Sequence, residues 1–143
     1  MKIFDATLKT LEQSLDVRLV EQNVLAANVA NVDTPGYKPK ELDFSAAMAA
    51  ARASGGAEAM ATTAPNHMGA NGASVGPGGN ATGIATALIS DGKGTTSPSF
   101  DGNAVDLDRT MAGMAENGLQ YGASARAAAK KLAILRYVVA DGA

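Results

Sequence analysis

From Phe4 onward, large apolar residues return at alternating steps of four and three: Phe4, Leu8, Leu11 and Leu15, then Leu25, Val29 and Val32. Arg18 and Gln22 occupy the two places between them where apolar residues are due. A seven-residue repeat of this kind marks a helix face that meets another helix. Val17, Val20 and Val24 form a neighbouring stripe, which widens the face enough for more than one partner. The repeat stops at Asp33-Thr34-Pro35-Gly36-Tyr37. Pro35 removes a backbone donor and biases the residue before it toward extended chain, and Gly36 suits the positive φ of a type II turn. The first helix is therefore predicted to end near Val32, followed by extended chain at Lys38-Pro39-Lys40 and a short helix over Phe44 to Arg52.

The second periodic segment follows Asp101-Gly102-Asn103-Ala104-Val105-Asp106-Leu107-Asp108, where Asn103 or Asp106 is placed to cap a helix. The three-four spacing runs through Leu107, Met111, Met114, Gly118, Tyr121, Ala125, Ala128, Leu132, Leu135 and Val139 without a missed step. Arg126, Lys130, Lys131 and Arg136 fall toward the negative end of this helix, as the dipole favours. At about 1.5 Å per residue, some 30 residues of helix reach roughly 45 Å, longer than an ordinary small globule needs. Gly113, Gly118 and Gly122 each lower intrinsic helix stability by about 1 kcal/mol relative to alanine. This helix is expected to draw its order from packing, and the small residues Gly118, Ala125 and Ala128 let another backbone approach closely.

Between Ser54 and Ser99 the chain is rich in Gly, Ala, Ser, Thr, Asn and Pro. Such a segment buries too little apolar area to offset ordering its backbone. It is expected to be a flexible loop, with a short strand or docking contact at Ile84 to Ile89. The predicted fold class is mainly α, with long N- and C-terminal helices packed as an antiparallel helical pair and joined by an extended or flexible Gly/Ala-rich middle region. In this reading 1–33 is the N-terminal helix, 34–100 the turn, short helix and Gly-rich linker region, and 101–143 the C-terminal helix. The two ends form one discontinuous domain.

Composition reinforces the helical pair and removes other classes. Hydrophobic residues make up 46% of the 143, but alanine is the largest single part of that share, with three Phe, three Tyr and no Trp. A compact autonomous core would be thin, because large side chains supply most of the area a core buries. A net charge of −2 from interspersed acids and bases offers no broad grip on nucleic acid. The absence of cysteine rules out disulfides and thiolate metal sites. No cleavable signal is expected at Met1-Lys2-Ile3-Phe4-Asp5, and no run of about 18 apolar residues is present to span a bilayer.

Candidate chemistry is sparse. His67, the single histidine, has no carboxylate spacing around it that would complete a metal site. Asp106 and Asp108 sit on different faces of a helix start and read as capping residues. The glycines from Gly69 to Gly83 lack the lysine and the preceding strand of a phosphate-binding loop. Met111 and Met114 at helical spacing are adaptable packing. No catalytic, cofactor-binding or metal residue is assigned, and an enzyme is not expected.

The stretch Ala27-Asn28-Val29-Ala30-Asn31-Val32-Asp33-Thr34-Pro35-Gly36-Tyr37-Lys38 is not explained by a helix end and a turn alone, since neither requires both asparagines and the tyrosine. It resembles the N-terminal signature of the bacterial flagellar axial proteins, the rod, hook and hook-associated subunits. Lys40-Glu41-Leu42-Asp43-Phe44, Thr62-Thr63-Ala64-Pro65-Asn66-His67-Met68 and Asp101 to Arg109 bring the similarity closer to the proximal rod proteins of the FlgB family. Met114-Ala115-Glu116-Asn117 and Lys131 to Tyr137 continue it. The sister FlgC family usually carries an insertion between the asparagines and the tyrosine, which this chain lacks. The departures lie in the Gly-rich Gly69 to Ser97 region and at Gly113, Gly118 and Gly122.

The resemblance implies a structural subunit of the flagellar basal-body proximal rod. It would be exported through the type III apparatus without a cleavable signal peptide and would assemble helically in the periplasm. Its implied partners are itself, the rod proteins FlgC, FlgF and FlgG, the rod-to-MS-ring adaptor FliE and the export gate, with no cofactor, no nucleic acid and no direct membrane span. Implied motif residues are Asn28, Asn31, Thr34, Pro35, Gly36 and Tyr37. The residues assigned to the assembly interface are Leu8, Leu11, Leu15, Leu25, Val29, Leu107, Met111, Met114, Tyr121, Leu132, Leu135 and Val139. A helical adaptor that binds one protein partner without polymerising, or another rod protein such as FlgC, is the alternative.

Overall fold

The computed structural model of the chain describes residues 6–54, 85–92, 94 and 100–141. Phe4, the Thr62 to Met68 block with His67, Ile84 and the Gly-rich run from Gly69 to Gly83 lie outside the described residues. Helix α1 spans Ala6–Ala30, strand β1 Lys40–Leu42, helix α2 Phe44–Ser54, strand β2 Ile89–Asp91 and helix α3 Leu107–Asp141. The fold is mainly α, with the long terminal helices packed together as an antiparallel pair. The short helix expected over Phe44 to Arg52 is present as α2, but the strand suggested at Ile84 to Ile89 is not: residues 85–87 are helical and β2 begins only at Ile89.

Local chemistry sets the ends of these elements. Asp43 caps α2, its carboxylate accepting the Ala46 N–H at 2.9 Å, and Asp106 caps α3 by accepting the Arg109 N–H at 3.0 Å. Strands β1 and β2 pair antiparallel, Lys40 opposite Asp91 and Leu42 opposite Ile89. A salt bridge from Lys40 Nζ to Asp91 Oδ1 at 2.7 Å spans the exposed end of this ladder.

The core differs from the predicted leucine seam. Val17, Val20 and Val24 are the buried apolar residues of α1, and they cluster with Ala47, Met48 and Ala51 of α2 and with Ala85. Leu42, Phe44, Leu88 and Ile89 pack around that cluster. Leu8, Leu11, Leu15, Leu25 and Val29 are only half-buried. The valine stripe takes the core because α2 lies against it, and small alanines allow that close approach. Gln13 fastens the arrangement by donating from Nε2 to the Ala51 carbonyl at 2.8 Å near the end of α2.

Along α3, too, the buried line is displaced from the predicted one. Thr110 and Asn117 are buried against α1, whereas Leu107, Met111 and Tyr121 are exposed. For Asn117 the reason lies on α1, where Arg18 and Gln22, the two breaks in its apolar repeat, supply hydrogen-bond partners, while the Thr110 hydroxyl donates within α3 to the Asp106 carbonyl at 2.6 Å.

Candidate assembly site: the turn after α1 and the faces of the helix pair

Three asparagines build the junction between the helices. Asn28, in the last turns of α1, is 3% exposed and pairs with the backbone of Lys40 as a neighbouring strand would. Its Nδ2 donates to the Lys40 carbonyl at 2.8 Å, and its Oδ1 accepts the Lys40 N–H at 2.8 Å. The Tyr37 hydroxyl also donates to Oδ1, at 3.3 Å. A buried side-chain amide with donor and acceptor both engaged fixes the chain direction after the turn.

Asn31 follows the helix end. Its Nδ2 donates to the Ala27 carbonyl at 2.8 Å, and its Oδ1 accepts from the Thr34 hydroxyl at 3.2 Å. The Tyr37 N–H then reaches the Thr34 carbonyl at 3.2 Å, which closes a turn with Pro35 second and Gly36 third. Gly36 has φ of 69°, the left-handed value that a type II turn demands at that position. Thr34, Pro35 and Gly36 are exposed, and Tyr37 is half-buried.

Asn103 ties this turn to α3 and was foreseen only as a possible cap. Its Nδ2 donates to the carbonyls of Asn31 at 2.9 Å, Val32 at 2.8 Å and Thr34 at 2.8 Å. These carbonyls lie where α1 has ended and has no further N–H to offer. Two backbone bonds run beside it, Gly36 N–H to the Asp101 carbonyl at 3.0 Å and Ala104 N–H to the Tyr37 carbonyl at 3.2 Å. Gly102, with φ of 79°, brings the second loop within about van der Waals distance of Gly36: a Cβ there would lie 3.7 Å from the Gly36 Cα.

Asn117 sets the register of the helix pair. Its Nδ2 donates to the Arg18 carbonyl at 3.0 Å and to Gln22 Oε1 at 2.9 Å, and its Oδ1 accepts from Arg18 Nη1 at 3.4 Å. Arg18 also lies over the Phe44 ring, 4.4 Å from its centroid, so one guanidinium links all three helices. Sliding α3 by one turn would bury these groups without partners, a cost of about 1–3 kcal/mol for each. Glu21 faces the same seam. Burial pushes its carboxyl above the ordinary value, opposed by Arg18 and reinforced by Glu116 across the gap.

Sequence periodicity did not single out Asn103 or Asn117, since their partners lie 69 to 99 positions away. The local traces are the place of Asn103 before a helix start, where its Oδ1 accepts the Val105 N–H at 2.8 Å, and the polar Arg18 and Gln22 in an otherwise apolar repeat.

The assigned interface residues fall into two groups. Leu8, Leu11, Leu15, Leu25 and Val29 of α1, with Met114 and Leu135 of α3, are half-buried. Leu107, Met111, Tyr121, Leu132 and Val139 of α3 are 43–67% exposed, and Leu119, Ile134, Tyr137 and Val138 are exposed as well. Toward its C-terminal end α3 carries Ile134, Tyr137, Val138 and Val139 on several sides, each more than half exposed. Among the described residues no group of His, Asp and Glu could hold a metal ion, and no helix is long and apolar enough to cross a membrane.

Comparison with known proteins decides the family. Residues 8–38 match the family model described as flagella basal body rod protein. The FlgB flagellar basal body rod protein of Escherichia coli is 34% identical over 142 residues, 96% of each chain. That of Salmonella typhimurium is 34% identical over 121 residues, covering 82% of this chain and 80% of the relative. That of Cereibacter sphaeroides is 35% identical over 109 residues, 76% of this chain and 74% of the relative. The chain belongs to the FlgB family of flagellar basal-body rod proteins. Its role is accordingly structural, within the rod of the flagellar basal body. The region matched by the family model contains Asn28, Asn31 and the Thr34 to Tyr37 turn, while Lys40 and Asn103, which complete the junction, lie outside it.

Proposed function

We propose that this chain is a subunit of the proximal rod, assembling helically with its own copies and with the other rod proteins FlgC, FlgF and FlgG. In this position it connects the MS ring, the FliE adaptor and the export gate to the distal rod and transmits torque. The observation that carries this reading is the apolar surface of α3, where Leu132, Ile134, Tyr137, Val138 and Val139 stand 48–68% exposed on one helix end. A helix that is apolar on several sides finds its stable environment surrounded by other elements. Neighbouring subunits supply that environment, and each contact repeated with a rotation that does not close extends an open assembly.

The polar junction has a different task. With its hydrogen bonds made inside one chain, it holds the two helices in a fixed register so that every subunit presents the same apolar face. Torque passes through such a pair because sliding would strand Asn117 and Asn103. Export without a cleavable signal peptide fits the same reading.

The test is complementation of a strain that lacks its own copy of this protein. The native chain restores rods, seen in isolated basal bodies, and swimming. Leu132→Asp leaves the free chain folded, because Leu132 is 48% exposed, yet abolishes rods. Normal rods and swimming with Leu132→Asp would refute the assembly role of this face, and a single-partner adaptor would then be the better reading.

A further inference from the structure

A groove of about 680 Å³ runs between α1, β1 and the first half of α3. Its floor is apolar, formed by Val24, Leu25 and Gly113, and its rim is acidic, with Glu21 and Glu116 on opposite helices. The two carboxylates repel each other across the seam, and Glu21 Oε2 is buried with no hydrogen-bond donor. Its cationic neighbour Arg18 stands 3.9 Å away, shares its Nη1 with Asn117, and has its Nε buried without an acceptor, so it neutralises Glu21 only through space. Arg109, the cation on the rim from α3, is taken by Glu41 at 3.2 Å. The groove thus has more negative charge than its own cations neutralise.

Gly113 on its floor is not required by the fold. A Cβ at that position would meet Leu25 at an ordinary 3.6 Å, so alanine would fit and would favour the helix by about 1 kcal/mol. Glycine there keeps the groove open.

The same chain carries a surface of the opposite kind. At the far end of α3, Leu132, Arg136 and Tyr137 line a shallow apolar hollow, and Lys130 is exposed beside it. Among the described residues neither Lys130 nor Arg136 has an ion-pair partner. From Gly113 to Arg136 is 23 residues of continuous helix, roughly 35 Å. The two surfaces therefore cannot meet within one molecule.

We propose that the groove beside Gly113 receives the Lys130 to Arg136 segment of α3 from a second copy of this chain, with Arg136 or Lys130 neutralising the Glu21 and Glu116 pair. The inference rests on the reading of the chain as a rod subunit that meets its own copies, and it names the surfaces that meet. Because groove and segment are different surfaces, the contact is head-to-tail. Each copy offers a groove to one neighbour and a helix end to another, which gives the assembly a direction. The apolar floor takes Leu132 and Tyr137, and the acidic rim selects the basic register over others.

The chain contains no cysteine, so crosslinking tests this contact without background from its own thiols. Glu116→Cys and Arg136→Cys are introduced into separate copies and co-expressed in the deletion strain, with Glu116→Cys and Lys130→Cys as a second pair. Basal bodies are isolated and oxidised. Disulfide-linked dimers from either pair, lost on reduction and absent when Leu19→Cys replaces the helix-end partner, are the expected result. Incorporation of both variants with no linkage from either pair would overturn the docking surface and leave the rod reading standing. Absence of the unsubstituted chain from rods would overturn both. Charge exchange covers the case in which a cysteine variant is excluded from rods: Glu116→Arg lowers incorporation about tenfold or more, and adding Arg136→Glu in the same chain restores it. Failure of that restoration, with each variant folded, also overturns the proposal.

Discussion

The junction after α1 and the far end of α3 are built on opposite terms. At the junction, Asn28, Asn31 and Asn103 each engage backbone groups of their own chain. At the far end, large apolar side chains stand exposed on several sides of one helix. A polar network satisfied internally fixes a shape that does not depend on neighbours. An apolar end left uncovered gains free energy only when something covers it. The contrast separates what makes the subunit from what makes the assembly, and mutations in the two regions should fail differently.

The largest effect on the subunit itself comes from Asn103→Ala. It leaves the carbonyls of Asn31, Val32 and Thr34 without their common donor, and because Thr34 is exposed and Asn31 and Val32 half-buried, the total loss is about 1–3 kcal/mol, that of one stranded polar group. Urea unfolding of the free chain followed by helical circular dichroism should show the midpoint fall accordingly. An unchanged midpoint would mean that solvent caps α1 as well as Asn103 does.

A smaller effect of opposite sign is expected at Gly118. Nothing lies within 4 Å of where its Cβ would be, so Gly118→Ala should stabilise the free chain by up to about 1 kcal/mol through helix propensity. If neighbours approach closely at that face, the same substitution lowers rod assembly while raising the melting temperature. A gain in both would show that the glycine has no packing role.

The smallest effect is electrostatic. Burial raises the Glu21 carboxyl above its ordinary 4.5, so the folded state binds the proton more tightly than the unfolded one. Its favourable contribution is complete below 4.5 and is lost as pH rises through the raised folded value. Asp91 is held below its ordinary 3.8 by Lys40, and its contribution is present above 3.8 and lost as pH falls through the lowered folded value. Melting temperature should therefore rise slightly as pH drops from neutrality toward 4.5, then fall at lower pH. Asp16 is also raised by burial and contributes in the same direction, so Glu21→Gln should reduce the rise and leave the acid fall in place. A rise undiminished by Glu21→Gln would assign it to Asp16 or another group.

Much of the fold was legible because it follows local rules. Apolar repeats marked both long helices, Pro35 and Gly36 marked the turn, and Asp106 stood where a cap belongs. What the repeats did not show was which stripe faces which element. Leu11 and Val17 are equally apolar, and only the position of α2 decides that Val17 is buried while Leu11 is half-exposed. Asn103 and Asn117 were hidden for a related reason. A polar residue that works through partners across the fold leaves no period, and Arg18 and Gln22 read as interruptions when they are the receptors for Asn117.

Hydrogen exchange of the amides from Lys130 to Val139, compared between the free chain and isolated rods, tests the central claim most directly. The account predicts weak protection of this segment in the free chain, with Thr110 to Asn117 better protected against α1, and strong protection of both in the rod. Equal protection of Lys130 to Val139 in the two states would contradict it, because the far end of α3 would then gain nothing from its neighbours.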